Sequence, residues 1–143
     1  MLDREKVISE LQRAGIRLTP QRRAILDYLA STDIHPSAQQ IFQEVKKIHP
    51  DISLATIYNT LKRLESLGLV KMLEIEPDNR CETNLSQHIN LICDICGKIL
   101  DMQGGFTVNS EEVLHRCGFQ VHDSRMEYHG VCSACRDRQK RAL

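Results

Sequence analysis

The residues with the most chemical potential in this chain of 143 are its cysteines, four of which fall in two identical short spacings. Cys93-Asp94-Ile95-Cys96 and Cys132-Ser133-Ala134-Cys135 are two C-x-x-C pairs. Four thiolates in two such pairs make the ligand set of a tetrahedral structural zinc, because a C-x-x-C turn lets both sulfurs face one metal. The pairs are separated by residues 97–131, so they are expected to bridge separate elements of a domain rather than form a compact ribbon. Two disulfides, or redox chemistry at a single C-x-x-C, are the other uses of such pairs. The first residues, Met1-Leu2-Asp3-Arg4-Glu5-Lys6, are charged and no apolar run follows them, unlike a signal peptide. A cytoplasmic location is therefore expected, and reduced thiols there favour metal.

A second group holds nitrogen and oxygen donors: His35, Glu82, His88 and Asp101. Such a mixture suits a borderline divalent ion such as iron, manganese or zinc. Each of these residues is equally at home as a packed or solvated side chain. Cys81 and Cys117 have no partner at ligand spacing. Cys117 reads as a small buried apolar residue, while Cys81, beside Glu82, leaves a ligand or redox role open.

The elements that would carry these groups change character near the middle of the chain. Residues 1–68 read as four successive helices. Val7, Ile8, Leu11 and Ala14 share one face of the first, which stops at Gly15. Thr19-Pro20 caps and opens the second, with Ala24, Ile25, Tyr28 and Leu29 inward. Ser37 and Gln40 form a capping box for the third, whose inner face is Ile41, Phe42, Val45 and Ile48. Ser53 caps the fourth, with Leu54, Ile57, Leu61 and Leu64 as its apolar stripe and Gly68 as its end. The opposite face of that helix carries Ser53, Thr56, Asn59, Thr60, Lys62 and Arg63. It is either a solvated face or a surface that meets bases and phosphates in a DNA major groove. A strand over Leu69–Ile75 and a turn over Glu76–Arg80 follow, so the third and fourth helices with this hairpin read as a winged helix.

After residue 81 the period becomes that of strands. Ile89–Ile92 and Lys98–Met102 are expected to flank the first cysteine turn. Gly104-Gly105 breaks the chain, Asn109 or Ser110 caps a short helix ending at Gly118, and Phe119–His129 is expected to be a strand. The basic tail Arg136-Asp137-Arg138-Gln139-Lys140-Arg141 reads as a frayed end. The expected fold is α+β. A winged-helix domain over 1–80, with a hinge from about 76, precedes a small dimerisation domain over 81–143 around the four-cysteine zinc.

Net charge is zero, but residues 1–72 hold eleven basic and eight acidic side chains, a weak positive bias. No segment approaches the roughly 20 apolar residues of a membrane span. A closed four-cysteine site offers no open metal position, and no nucleophile–base pair or phosphate loop stands out, so an enzyme or a small-molecule substrate is not expected.

Four motifs occur in order: Leu18-Thr19-Pro20-Gln21-Arg22; Ser53-Leu54-Ala55-Thr56-Ile57-Tyr58-Asn59; His88-x-Asn90-Leu91-Ile92-Cys93-x-x-Cys96-Gly97-Lys98; and Gly130-Val131-Cys132-x-x-Cys135. Together they resemble the ferric uptake regulator (Fur) family of metal-dependent bacterial repressors, over nearly the whole chain. The resemblance implies a cytoplasmic homodimer that binds palindromic operator DNA. It implies a structural zinc on Cys93, Cys96, Cys132 and Cys135, and a regulatory Fe2+ or Mn2+, or alternatively Zn2+, on His35, Glu82, His88, Asn90 and Asp101. DNA contacts are implied for Arg22, Ser53, Thr56, Tyr58, Asn59, Lys62 and Arg63.

Within the family the chain looks most like the peroxide-sensing branch, PerR, on Thr56-x-Tyr58-Asn59 and Asp101. In that branch a ligand histidine is oxidised, and His35 and His88 are the candidates. Two positions depart from it: Glu82 stands for an aspartate, and Asn90 for a second histidine. Val108 and Ser124 replace the glutamate and histidine of a further site found in some members. The alternatives are an iron-, zinc- or manganese-uptake regulator of the same family and, more distantly, a zinc enzyme or a metal protein that does not bind DNA.

Overall fold

The computed structural model describes residues 1–104 and 108–143, so Gly105 of the expected chain break lies outside the described residues. The chain forms two compact units, Met1–Leu85 and Ser86–Leu143.

The first unit runs α1 (Arg4–Arg13), α2 (Pro20–Ser31), α3 (Ala38–Lys46), α4 (Leu54–Ser66), β1 (Lys71–Leu73) and β2 (Arg80–Glu82). Local chemistry sets the helix starts. Thr19 Oγ1 accepts from the Arg22 amide and Pro20 occupies the first turn. Ser37 and Gln40 form the reciprocal capping box, and Ser53 Oγ accepts from the Thr56 amide. Such a cap contributes about 1 kcal/mol. The inward stripes then meet in one core, with Val7, Leu11, Ile25, Leu26, Leu29, Ile41, Val45, Ile57, Leu61 and Leu64 all buried. The antiparallel β1–β2 pair is held to this core from both sides. Glu65 accepts from the Met72 amide, and the Cys81 amide donates to Pro36 O at 2.8 Å.

Three expectations for this unit are corrected. Ile48 is not inward but 72 % exposed, because α3 ends at Lys46 and the helical period ends with it. Thr60 is buried and turns its hydroxyl to Thr56 O at 2.8 Å, so it does not belong to the outer face of α4. The strand expected over Leu69–Ile75 is only Lys71–Leu73, since Leu69 and Val70 pack into the core instead of pairing.

The second unit runs β3 (Ile89–Cys93), β4 (Ile99–Met102), α5 (Ser110–Cys117), β5 (Glu127–Gly130) and α6 (Ser133–Arg141). The sheet order is β4-β3-β5, antiparallel on one side of β3 and parallel on the other. Pairing puts Ile89, Leu91, Leu100, Met102 and Tyr128 on one face, and Asn90, Ile92, Ile99, Asp101, Glu127 and His129 on the other. Asn109 caps α5, and Gly118 closes it at φ 65°, a conformation glycine adopts without strain. The long strand expected from Phe119 is confined to Glu127–Gly130, because β3 offers partners only there. The basic tail is helix α6 rather than a frayed end. Cys117 is exposed, not buried, because α5 buries none of its residues.

Candidate metal centres and nucleic-acid interface

The four paired cysteines converge within the second unit. Cys93 ends β3, and Cys96 follows in a turn closed by the Gly97 amide on Cys93 O at 2.9 Å. Parallel pairing sets Gly130 beside Cys93, and Asp94 N donates to Gly130 O at 2.8 Å. The second knuckle therefore begins next to the first. Cys132 is the N-cap of α6 and Cys135 lies in its first turn. All four sulfurs lie within 4.8 Å of one another. The Cys96 and Cys132 sulfurs are 3.8 Å apart. A disulfide needs about 2.05 Å, whereas the edge of a tetrahedron with Zn–S bonds of about 2.3 Å is about 3.8 Å. The donors thus fit zinc in number, type and spacing, and all six cysteines are thiols.

The surroundings suit thiolates. The Cys132 amide donates to Cys93 Sγ at 3.3 Å and draws the Cys93 thiol down to about 6. The Arg138 guanidinium donates to Cys135 Sγ at 2.9 Å. It opposes the burial that, without metal, pushes the Cys135 thiol up to about 11. Sequence reading missed Arg138; its place one helical turn after Cys135 was the available signal.

The nitrogen and oxygen donors fall into two sets, one in each unit. In the first unit, β2 is bound to the segment before α3 by the Cys81–Pro36 hydrogen bond and by Arg80 Nη1 on His35 O at 3.2 Å. This brings the buried His35 beside the buried Glu82, with His35 Nε2 3.1 Å from Glu82 Oε2. Glu82 Oε1 also accepts from the Asn84 amide at 2.7 Å. In the second unit, register pairs Asn90 with Asp101. His88 lies two residues before Asn90, with Nε2 3.2 Å from Asn90 Oδ1 and 3.8 Å from Asp101 Oδ1. His88 Nδ1 is 2.7 Å from Ser86 O. A carbonyl only accepts, so Nδ1 donates to it, and Nε2 faces the oxygens of Asn90 and Asp101. That is how a ligand imidazole is commonly oriented. Cys81 is not among these donors. It is fully buried in the core, and burial, then the charge of Glu82, push its thiol up to about 12, which leaves it protonated and inert.

Helix α4 exposes Ala55, Tyr58, Asn59, Lys62, Arg63, Glu65 and Ser66, and the first five are spaced as one continuous face. Ser53 and Thr56 stand at its N-terminus with their hydroxyls 2.9 Å apart, both engaged in the cap. Arg22, on α2, donates to Arg17 O and holds the α1–α2 connection. Among the described residues, no helix is long and apolar enough to cross a membrane.

A helix-turn-helix with a two-stranded wing, followed by a small sheet domain around four cysteines, defines a class of metal-binding winged-helix proteins. The family model "Ferric uptake regulator family" matches residues 13–129. The chain belongs to the ferric uptake regulator family. It is 43 % identical over 136 residues to the peroxide-responsive repressor PerR of Staphylococcus aureus, covering 94 % of this chain and 92 % of that protein. The solved structure of PerR from Streptococcus pyogenes, described as concerned with peroxide sensing and gene regulation, matches with TM-score 0.55. It is 33 % identical and covers 94 % of both chains. The ferric uptake regulator of Helicobacter pylori, described as having three functional metal sites, matches with TM-score 0.72, covering 92 % of this chain and 90 % of that one. At 21 % identity it speaks for the fold alone.

Proposed function

We propose that this protein is a cytoplasmic, homodimeric, metal-dependent transcriptional repressor that responds to peroxide. The observation that carries the reading is the pair of preorganised donor sets, His35 with Glu82 and His88 with Asp101, in a chain similar to PerR over 94 % of its length. Cys93, Cys96, Cys132 and Cys135 would hold a zinc that ties β3 to α6, and its binding energy would be folding energy. The donor sets of the two units would together hold one regulatory Fe2+ or Mn2+. When bound, that ion supplies positive charge shared by both units and, as iron(II), an electron for peroxide.

Its grip would favour one orientation of the winged helix, because an ion shifts an equilibrium only by binding one state better. The face Tyr58-Asn59-Lys62-Arg63 of α4, with Ser53 and Thr56 at its start, would then read operator DNA, with Asn59 suited to adenine and the cations to phosphate. The apolar sheet face of Leu91, Leu100, Met102 and Tyr128, exposed at three of these positions, would meet a second copy. A DNA-binding regulator of this kind is not an enzyme and needs no small-molecule substrate.

A metal-uptake regulator is the second reading, favoured by Glu82 and Asn90 where PerR has aspartate and histidine. Mass spectrometry separates the two. The iron(II) form treated with one equivalent of peroxide should gain one oxygen on a peptide containing His35 or His88 and lose DNA affinity. Unmodified histidines with DNA binding retained would place the protein among the uptake regulators.

A further inference from the structure

Helix α6 is anchored by sulfur. Of its nine residues only Cys135 is buried, and its N-cap is Cys132. Arg138 stands three residues after Cys135, which places both on one face of the helix. Its Nη2 donates to Cys135 Sγ at 2.9 Å, and its charge is felt at Cys96 and Cys132 as well. One guanidinium thus acts on sulfurs of both C-x-x-C turns. Cys135 is 1 % exposed, so little water reaches the acceptor to replace this donor.

The charge count gives the contact its direction. Zinc binds cysteine as thiolate, so one Zn2+ on four of them leaves two negative charges uncompensated. Backbone amides answer part of that charge, as where Cys132 N donates to Cys93 Sγ at 3.3 Å. A guanidinium would be repelled by a bare dication, but the four thiolates outweigh the metal, and the loaded cluster attracts a cation. Hydrogen bonds with an ionised donor and acceptor are also the stronger class.

We propose that Arg138 is a positioning residue of the zinc centre: its guanidinium bonds to the Cys135 thiolate, offsets the excess negative charge of the loaded cluster and sets how tightly the second unit keeps its zinc. The inference rests on the zinc reading above and adds a residue outside the ligand set. It gives one cation of the basic C-terminal helix a task within the chain itself.

The test uses the full chain, with zinc competed by a chelator of known affinity. Arg138→Met keeps an apolar stem of similar reach and removes the charge and the donors. It should weaken zinc binding by about tenfold, the scale on which metal sites register a lost hydrogen-bonding partner of a ligand. Arg138→Lys keeps the charge and should recover most of that loss. Arg141→Met makes the same change of net charge further along α6 and should bind zinc like the parent.

Cobalt(II) in place of zinc supplies a readout that a purely structural role would not move. The sulfur-to-cobalt charge-transfer band should fall in energy in Arg138→Met, because a hydrogen bond to the thiolate is gone, and stay near the parent's in Arg138→Lys. Parent-like zinc affinity in Arg138→Met would overturn the proposal. So would an Arg138→Lys variant as weak as Arg138→Met, or an equal loss in Arg141→Met. If the parent itself takes up no zinc, the zinc reading fails; if the parent holds one zinc and Arg138→Met holds it equally well, only this inference fails.

Discussion

The two units of this chain are held together by different means. The first buries seventeen apolar residues from its helices and wing in one continuous core. In the second, among the described residues, the buried side chains are Ile89, Asn90, Ile92, Cys93, Ile99 and Cys135, and α5 contributes none. Two of those six belong to the four-cysteine cluster. A domain this thin in apolar burial needs a staple, and a metal is one of the few available. A unit that folds on its own core can be moved by a ligand without coming apart. The second unit, with zinc on its four cysteines as proposed, would be only as stable as its metal.

The comparison breaks most visibly at a zinc cysteine. Cys93→Ser should release zinc and abolish amide-exchange protection in β3, β4 and β5, while α2, α3 and α4 stay protected. Metal analysis and hydrogen exchange read both halves of this outcome. Next in size is a cavity in the apolar core. Leu61, 1 % exposed, lies in the middle of α4; Leu61→Ala should cost about 2–5 kcal/mol in chemical denaturation. Its transition should move without loss of zinc. A coupled loss would mean that the units do not fold independently. The smallest effect is at a cap. Ser37→Ala removes the capping box of α3 and should cost about 1 kcal/mol, again only in the first unit.

The same contrast decides how much could be read from the residues alone. In the first unit local rules act at short range. Thr19-Pro20, Ser37 with Gln40, and Ser53 announced their helices because a cap is a contact within one turn. The inward positions of α2 and α4 followed from period. Period failed at Ile48, beyond the end of α3, and at Thr60, where a hydroxyl satisfied by the preceding turn lets a polar residue be buried.

The second unit is less legible because long-range partners shape it. Residues 119–126 have strand-like stretches but no strand to pair with. Helix α6 has almost no apolar stripe, and only Cys135 in it is buried. Its anchor is the sulfur cluster, which composition does not reveal. The cysteine spacing itself was legible, and so were the donor types. What spacing could not supply was the contact of His88 Nδ1 with Ser86 O, the approach of Asn90 to His88 Nε2, and the guanidinium of Arg138 on Cys135.

The central claim is that an ion distinct from the structural zinc controls DNA affinity. It is tested by fluorescence anisotropy on a duplex selected from random DNA with the manganese-loaded protein. Zinc-loaded protein is titrated with and without Mn2+, for the parent and for His88→Ala. The account predicts that Mn2+ tightens binding of the parent by about tenfold or more, within the usual range of coupling between sites. It predicts no such change in the variant at equal zinc content. Equal affinity of the parent with and without the ion would contradict it.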